Sequence, residues 1–395
     1  MVAPNLVRMF LPISFSLMMF LVGCGSSSNG SANTVEGLTR AGSFAVGRVT
    51  LNLADQSRVT PATQNSELLA SRTLVTDVYY PAASGNPGAV SDDAAPAASN
   101  GPFPLLVVAH GLFGSRTNFT GTLGLLASQG YVVAALDFPL TNFSTYTSQT
   151  VWLPDLFDQP LDISFVIDSL TGVGDPAADD LAGIVDADRI GLLGHSFGGA
   201  TVLLSGFSGV ISDPRVDAIV ALSPFTCFFG AESFANGTAP VLLLHGTSDA
   251  ILESIWSDEL DEFLPATQIY GRIVGGDHMG FVSDPTRPEG ERDLEFAEVV
   301  SSAEEAATDS LAEFAVAAVA VVPGTDLARC ALRPLIALPN PDLDALISMD
   351  RQRAISDASM IAFFNAYVRG SAEAEGFLFD GLQDLAPEMQ VTTKQ

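Results

Sequence analysis

The chain has 395 residues, 47% of them hydrophobic, which is enough to build one large domain or two smaller ones around buried cores. Its 46 acidic and 17 basic residues give a formal net charge of −29 at pH 7, and its only lysine is Lys394. A surface of this sign repels phosphate groups, so the composition excludes nucleic acid as a partner and indicates a solvated, acidic surface.

The N-terminal residues have the pattern of an export signal. Arg8 supplies a positive charge, and the apolar run Met9–Val22 is shorter than the about 20 residues that a membrane span needs. The run ends in Leu-Val-Gly-Cys, which resembles the bacterial lipobox, whose cysteine carries the lipid; the alternative is an ordinary cleaved signal. We predict a signal peptide over 1–23 and a lipidated Cys24 with a flexible tether over 24–43. The protein would then be exported and lipid-anchored to the bacterial cell envelope.

Downstream of the tether, apolar runs alternate with helical patterns. Strands are predicted over Phe44–Leu53, Arg72–Tyr80, Leu105–Ala109, Tyr131–Leu136, Arg189–Leu193, Val216–Leu222, Pro240–Leu244 and Thr267–Val274, the last of these being the final strand. Helices are predicted over Asn118–Gln129, Leu161–Leu170, Ala250–Phe263, Glu291–Val322 and Asp350–Arg369, and residues 82–104 are predicted to form a loop. Strands alternating with helices predict an α/β fold, with a mostly parallel central sheet covered by helices on both faces.

Residues 194–198, Gly-His-Ser-Phe-Gly, match the pattern G-x-S-x-G between a predicted strand and a predicted helix start at Gly199–Leu204. This is the nucleophile elbow of α/β-hydrolases, a sharp turn that lifts the hydroxyl of Ser196 above the edge of the sheet. Small neighbours suit the strained backbone of such a turn. The alternative is a glycine-rich helix start with Ser196 as its N-cap.

A serine nucleophile needs an adjacent base, and the chain order of this fold is serine, then acid, then histidine. Two histidines follow Ser196. His278 comes directly after the last predicted strand, between glycines, and is the predicted base, whereas His245 at the end of a strand is predicted to be structural. Asp249 is the predicted acid that holds the imidazole in the required tautomer. Asp277 is the competitor, although a neighbour of the base turns less easily toward its ring.

An oxyanion hole requires two backbone N–H groups directed at the developing negative charge. The first donor is predicted to be Phe197, the residue after the nucleophile, and the second to be Leu112 in the loop that follows an early buried strand. His110 in that loop is predicted to brace it, and His195 is predicted to lie in the core.

The cysteines give a further expectation. If Cys24 carries lipid, Cys227 and Cys330 remain, and in an oxidising compartment such a pair forms a disulfide; the alternative is two buried free thiols. The sequence has no metal-binding cluster and no dinucleotide fingerprint, so we predict no metal and no cofactor.

Several short stretches form a combined pattern, and they are Tyr79-Tyr80-Pro81, His110-Gly111-Leu112, Asp188-Arg189-Ile190, the elbow continued through Gly199-Ala200-Thr201, and His245-Gly246-Thr247-Ser248-Asp249. This combination resembles the platelet-activating factor acetylhydrolase family, and dienelactone-hydrolase-like and polyester-hydrolase relatives share much of it. The resemblance runs from about Arg72 to His278. It implies an α/β-hydrolase that acts on ester bonds, with the triad and the oxyanion donors named above.

The domain prediction is one hydrolase domain over 44–395 with a helical insertion at about 285–350. The Ala-rich helix of this insertion is predicted to pack on the core, and the alternative is that it caps the active site. Four bulky residues are candidates either for an apolar pocket wall or for the core. These are Phe113, Trp256, Met279 and Phe281.

We therefore predict a monomeric serine esterase that cleaves short-chain or phospholipid-like esters through an acyl-enzyme, with a small-molecule ester as its partner. A polyester hydrolase or a lipase is the alternative among enzymes. A lipid-anchored binding protein on a hydrolase scaffold without activity is the alternative from another class.

Overall fold

A computed structural model of the chain describes residues 33–235, 237–264, 267–284, 292–298, 310–331 and 345–395. These residues form one central sheet with helices on both sides. Its strands are β1 (Ala45–Asp55), β2 (Arg72–Ala82), β3 (Val90–Asp92), β4 (Phe103–Ala109), β5 (Val132–Leu136), β6 (Val185–His195), β7 (Val216–Leu222), β8 (Val241–Gly246), β9 (Gln268–Ile273) and β10 (Met389–Lys394). The predicted α/β fold class is confirmed.

The strand order across the sheet is β10-β9-β8-β7-β6-β4-β5-β2-β1-β3. The strands from β9 to β5 are parallel to their neighbours. The antiparallel pairs lie toward the edges, where β2 pairs with β5, β1 with β2 and β10 with β9. The carboxyl ends of the parallel strands therefore meet at one edge of the sheet, where ligand sites of open α/β sheets lie.

The helices cover both faces of this sheet. They are α1 (Val35–Leu38), α2 (Thr120–Ser128), α3 (Phe143–Ser148), α4 (Gln159–Leu170), α5 (Asp179–Ala182), α6 (Phe197–Phe207), α7 (Ile255–Phe263), α8 (293–298), α9 (Leu311–Val321), α10 (Leu327–Ala331), α11 (Met349–Tyr367) and α12 (Ala372–Asp380). On β4, Leu105 and Val107 belong to the core beneath α4 and α6, whereas Leu106 and Val108 belong to the core beneath α2 and α11. Burial on both faces explains the continuous apolar runs of the central strands.

Two strands contradict the sequence predictions. The last strand is β10 rather than Thr267–Val274; it is an edge strand in which Met389 is buried and most other side chains are polar. The predicted loop 82–104 contains β3, whose three side chains are all exposed. Neither strand carries the apolar pattern from which a strand is predicted. β10 is stabilised by its pairing with β9, and β3 by its pairing with β1.

Two helix predictions are also wrong. The helix predicted from Ala250 begins only at Ile255, because the Asp249 carboxylate accepts the N–H groups of the next residues and holds them in a turn. The predicted helix Glu291–Val322 is not continuous, since α8 and α9 are separate and α9 begins after Ser310.

Part of the prediction falls outside the described residues. This applies to the signal peptide over 1–23, to Cys24, to residues 25–32 of the tether, and to residues 285–291, 299–309 and 332–344 of the predicted insertion. Residues 33–43 of the predicted flexible tether are described and include α1, whose Val35 is buried, so this part is folded against the domain. Within the described ranges, no helix combines the length and the hydropathy needed to cross a membrane.

Candidate active site

At the predicted elbow, a single residue, Ser196, separates a strand from a helix. β6 ends directly before Ser196 and α6 starts directly after it, and Ser196 itself has φ 56° and ψ −118°. A Cβ atom on Gly194 would lie 2.1 Å from the carbonyl oxygen of Gly198, and one on Gly198 would lie 2.3 Å from that of Ala109. The two glycines are therefore required by close backbone approach, and the strained serine is held at the carboxyl edge of the sheet.

His278 and Asp249 are joined, as the chain order predicts. His278 Nδ1 lies 2.8 Å from Asp249 Oδ2, and Asp249 Oδ1 accepts the N–H groups of Ile251 and Leu252 at 3.0 and 2.7 Å. His278 Nε2 is buried and has no hydrogen-bond partner among the described residues. The imidazole and Ser196 line the same small cavity. One ring nitrogen is thus held by the carboxylate, and the other remains available to the serine side.

Burial disfavours the charged forms of Asp249 and His278, whereas their mutual attraction favours these forms. Burial alone raises the pKa of Asp249, but His278 and the hydrogen bonds around the carboxylate hold that pKa well below its usual range. Burial lowers the pKa of His278, but the Asp249 carboxylate together with the negative charges of Asp293 and Asp277 raises it by more, so the net pKa lies above the ordinary value of 6.5. An ionised acid that favours a protonated imidazole is the electrostatic arrangement that a general base requires.

His245 is structural, and it also contacts the acid. Its Nε2 lies 2.8 Å from the Leu252 carbonyl and 3.2 Å from Asp249 Oδ2, and its Nδ1 lies 2.6 Å from the Ser257 hydroxyl. Two acceptors at Nε2 require that this nitrogen carries a proton, and Nδ1 shares its hydrogen bond with the Ser257 hydroxyl. His245 therefore fixes the loop that presents Asp249.

Asp277, the competing acid, does not reach the ring of His278. Its Oδ2 pairs with Arg292 Nη1 at 2.7 Å instead. The geometry therefore favours Asp249 over Asp277, because only Asp249 contacts the imidazole. Among the residues that the structure describes, no group of His, Cys, Asp or Glu side chains is arranged to hold a metal ion.

Sequence reasoning missed Asp293. This buried carboxylate accepts the N–H groups of Ala250 at 2.8 Å, His278 at 3.0 Å and Met279 at 2.8 Å. It therefore joins the loop of the acid to the loop of the base. Burial, together with the negative charge of Asp249, raises the pKa of Asp293 to about 7. Nothing in the local sequence distinguishes it from the many other acidic residues, since its partners are backbone groups that are distant in sequence.

The predicted oxyanion donors lie on either side of Ser196. Phe197 is the first residue of α6, and a methyl group on Gly111, next to Leu112, would lie 3.0 Å from the Cβ of Ser196. Neither the Leu112 N–H nor the Phe197 N–H donates a hydrogen bond to another described residue. Two free amides beside the nucleophile are what an oxyanion hole requires.

The remaining two histidines have the structural positions predicted for them. His110 Nδ1 donates to the Gly111 carbonyl at 2.7 Å, and its Nε2 accepts the Phe138 N–H at 3.1 Å, so it braces the Leu112 loop. His195 is buried, and its Nε2 lies 3.1 Å from the carbonyl oxygen of His278. Burial lowers the pKa of His195 well below its usual value, so the ring is a neutral support for the base loop.

An apolar cavity of about 80 Å³ adjoins Ser196. Apolar side chains form most of its lining, among them Leu112, Phe225, Phe296, Leu311 and Phe314. Of the four predicted wall candidates, Met279 lines the smaller cavity shared by Ser196 and His278. Phe113, Trp256 and Phe281 are buried in the cores instead.

The predicted disulfide is present. The sulfur atoms of Cys227 and Cys330 are bonded, which joins the loop after β7 to α10. The sequence separation of the two cysteines is 103 residues. The bond therefore attaches a part of the chain beyond His278 to the sheet that carries Ser196.

Residues 58–280 match the model of the PETase family, described as PET hydrolase-like. The chain belongs to the PET hydrolase-like family. The matched residues include Ser196, Asp249 and His278, together with Leu112 and Phe197. The match confirms the coarser prediction of an ester-hydrolase family, while the resemblance to platelet-activating factor acetylhydrolases and the polyester-hydrolase alternative both stay predictions.

Two similar proteins accompany the PET hydrolase-like match. A bis(hydroxyethyl) terephthalate hydrolase from Streptomyces coelicolor is 28% identical over 153 residues, which cover 39% of this chain and 42% of the relative. The chain thus matches less than half the length of that relative. A solved structure, the ferulic acid esterase from Streptomyces cinnamoneus, has a TM-score of 0.56 and 22% identity over 90% of this chain and 99% of its own. This likeness supports the α/β-hydrolase fold.

Proposed function

We propose that the protein is a serine ester hydrolase that works through an acyl-enzyme. One observation carries the proposal: Asp249 holds Nδ1 of His278, Nε2 has no partner among the described residues, and the imidazole and Ser196 line the same cavity. A serine hydroxyl becomes an effective nucleophile when such a base is next to it. Membership of the PET hydrolase-like family supports the same chemistry.

The proposed reaction uses each of these groups in turn. The Ser196 oxygen attacks the ester carbonyl carbon while His278 Nε2 takes the hydroxyl proton, and the amides of Leu112 and Phe197 stabilise the oxyanion. The intermediate collapses to the acyl-enzyme, and His278 returns the proton to the departing alcohol. Water then attacks the acyl-enzyme by the same route, which releases the acid and restores Ser196.

The cavity supports a small acyl group as the substrate part beside Ser196. Its volume of about 80 Å³ is small beside the roughly 300–1,000 Å³ of a typical ligand pocket. We therefore propose short-chain esters as substrates, with phospholipid-like esters that carry a short acyl chain among them. Esters of aromatic acids are the second candidate, since the curated relative is a bis(hydroxyethyl) terephthalate hydrolase and aromatic side chains line the cavity.

We also propose a cellular location for the protein, and this part of the proposal is argued from the sequence alone. The N-terminal apolar run and the lipobox-like segment that ends in Cys24 support export followed by lipid anchoring. Labelling with a radioactive fatty acid tests this, and a Cys24→Ala variant that is labelled as well as the wild type would contradict it.

The activity test compares wild type with Ser196→Ala on p-nitrophenyl esters from acetyl to palmitoyl and on bis(hydroxyethyl) terephthalate. We expect hydrolysis of short esters and a loss of about 10⁴-fold or more in the variant. A fluorophosphonate probe should label Ser196 in the wild type. The scaffold alternative, a binding protein without activity, predicts neither labelling nor Ser196-dependent hydrolysis.

A further inference from the structure

A segment beyond the family match completes the cavity beside Ser196. We call residues 292–298 and 310–331 the roof. The family match ends at residue 280, and three roof side chains nevertheless line the cavity: Phe296 from α8, and Leu311 and Phe314 from α9. The space next to the nucleophile is therefore bounded on one side by a part of the chain that the family pattern does not include.

The roof helix α9 is attached to the core at both ends. At its start, the Ser310 hydroxyl accepts the N–H of Leu153 at 3.2 Å. At its end, the Ser208 hydroxyl donates to the carbonyl of Val321 at 2.8 Å. Leu153 also lines the cavity. The helix is thus fixed over the pocket by hydrogen bonds to elements inside the family match.

The segment after α9 is attached as well. The N–H of Asp326 donates to the carbonyl of Phe228 at 3.1 Å, and the Cys227–Cys330 disulfide follows within α10. Arg329 Nη1 donates to the carbonyl of Phe229 at 2.5 Å. All these contacts reach the same loop after β7, so the roof and this loop form one structural unit.

Phe314 is a buried roof residue that packs among aromatic side chains of the core. It is 6% exposed, and its ring centroid lies 5.2 Å from Phe157, 5.7 Å from Phe228 and 6.2 Å from Phe225. Leu311, about one turn earlier, is 43% exposed and also lines the cavity. A longer acyl chain must displace this packed aromatic group, and interiors packed in this way resist added volume.

We infer that the roof is a fixed specificity wall, in which Phe314 and Leu311 set the upper size of the acyl group that Ser196 accepts. The inference rests on the proposed esterase function and adds to it the residues that select the ester. Phe314 closes the inner end of the acyl site, and Leu311 narrows its opening.

The test measures kcat/KM for acetyl, butyryl, octanoyl and palmitoyl p-nitrophenyl esters in Phe314→Ala and Leu311→Ala. We expect the octanoyl-to-acetyl ratio of kcat/KM to rise about 10-fold or more in Phe314→Ala, because single-methylene differences in apolar pockets already give about 10-fold discrimination. A smaller rise is expected in Leu311→Ala. Val316→Ala is the matched control, since Val316 lies on the same helix and is 73% exposed, and its ratio should equal that of the wild type.

Fluorophosphonate labelling of Ser196 in every variant separates the two proposals. No labelling and no hydrolysis in the wild type would contradict the esterase function itself. Normal labelling with an unchanged ratio in Phe314→Ala, or a wild type that cleaves palmitoyl and acetyl esters equally well, would overturn the inference. If Phe314→Ala does not fold, two other variants test the inference. Phe314→Leu should raise the octanoyl-to-acetyl ratio of kcat/KM. Leu311→Trp, whose larger side chain narrows the cavity, should lower the butyryl-to-acetyl ratio.

Discussion

The catalytic loops and the roof meet at one cavity, yet they are held in different ways. The loops are fixed at their main-chain groups: the N–H of Ser196 donates to the carbonyl of Leu222, the N–H of Ser248 donates to that of Gly276, and the Asp293 carboxylate accepts further loop N–H groups. The roof is held mostly by side chains, by a disulfide and by the aromatic cluster around Phe314, with a main-chain bond from Asp326 to Phe228. The main-chain geometry of a nucleophile elbow tolerates few substitutions. In a cavity wall formed by side chains, by contrast, single residues can be substituted while the backbone is retained. Substitutions in the loops should therefore remove the reaction, and substitutions in the roof should change which ester is cleaved.

The largest effect among the supporting residues is expected for Asp249→Asn. The amide cannot stabilise the imidazolium and favours the wrong tautomer of His278, so kcat for p-nitrophenyl acetate should fall about 10⁴-fold with KM little changed. Asp380→Asn, at an exposed position at the end of α12, is the control and should leave kcat unchanged. A loss below about 10-fold in Asp249→Asn would show that another group supports His278.

An intermediate effect is expected for Asp293→Asn. Asparagine keeps one acceptor oxygen but turns an NH₂ group toward the backbone N–H groups that Asp293 accepts, so the two loops lose their connection and kcat should fall about 10- to 100-fold. Retention of full kcat would contradict a positioning role. A far-UV circular dichroism spectrum equal to that of the wild type would show that the fold is retained.

The pH profile separates this positioning role from a merely structural one. His278 acts as a base only when it is neutral, so the wild-type rate should rise with pH through a midpoint above 6.5. The neighbouring negative charges of Asp249, Asp293 and Asp277 raise the pKa of His278, and Arg292 is paired with Asp277. Asp293 carries its negative charge mainly above its own pKa of about 7. Removing that charge lowers the pKa of His278, so the midpoint of kcat/KM should move to lower pH in Asp293→Asn. An unchanged midpoint would indicate that Asp293 exerts no electrostatic effect on the base.

The smallest effect on the reaction is expected when the roof loses its disulfide. Cys227→Ser with Cys330→Ser opens a constraint across 103 residues, and the free energy of unfolding should fall by about 2 to 5 kcal/mol. Acetate ester hydrolysis should stay within about 5-fold of the wild type, because neither cysteine lies in the catalytic loops. Thermal unfolding measures the loss of stability in the double variant, and assays on the p-nitrophenyl esters measure its hydrolysis. Wild-type protein with its disulfide reduced is the control for both measurements. A loss of acetate hydrolysis as large as that of Asp249→Asn would contradict the separation between loops and roof.

The fold and the central site could be predicted because their signals are local. A strand buried on both faces shows a continuous apolar run, and the elbow shows its glycines around Ser196. The positions of Asp249 and His278 follow from the chain order of the α/β-hydrolase fold. β10 and β3 could not be predicted in this way, since each owes its conformation to the strand beside it. The late start of α7 depends on the hydrogen bonds of Asp249, which a helical pattern does not reveal.

The sequence by itself indicated the fold class, the central strands, the candidate triad and a candidate bond between the two remaining cysteines. Only the tertiary structure brought Asp293 between the two catalytic loops and turned His245 toward the acid. It also put Phe314 into the wall beside Ser196. The physical reason is that a strand or a sharp turn is dictated by neighbours along the chain, whereas a buried carboxylate or a cavity wall is defined by groups that only folding brings together.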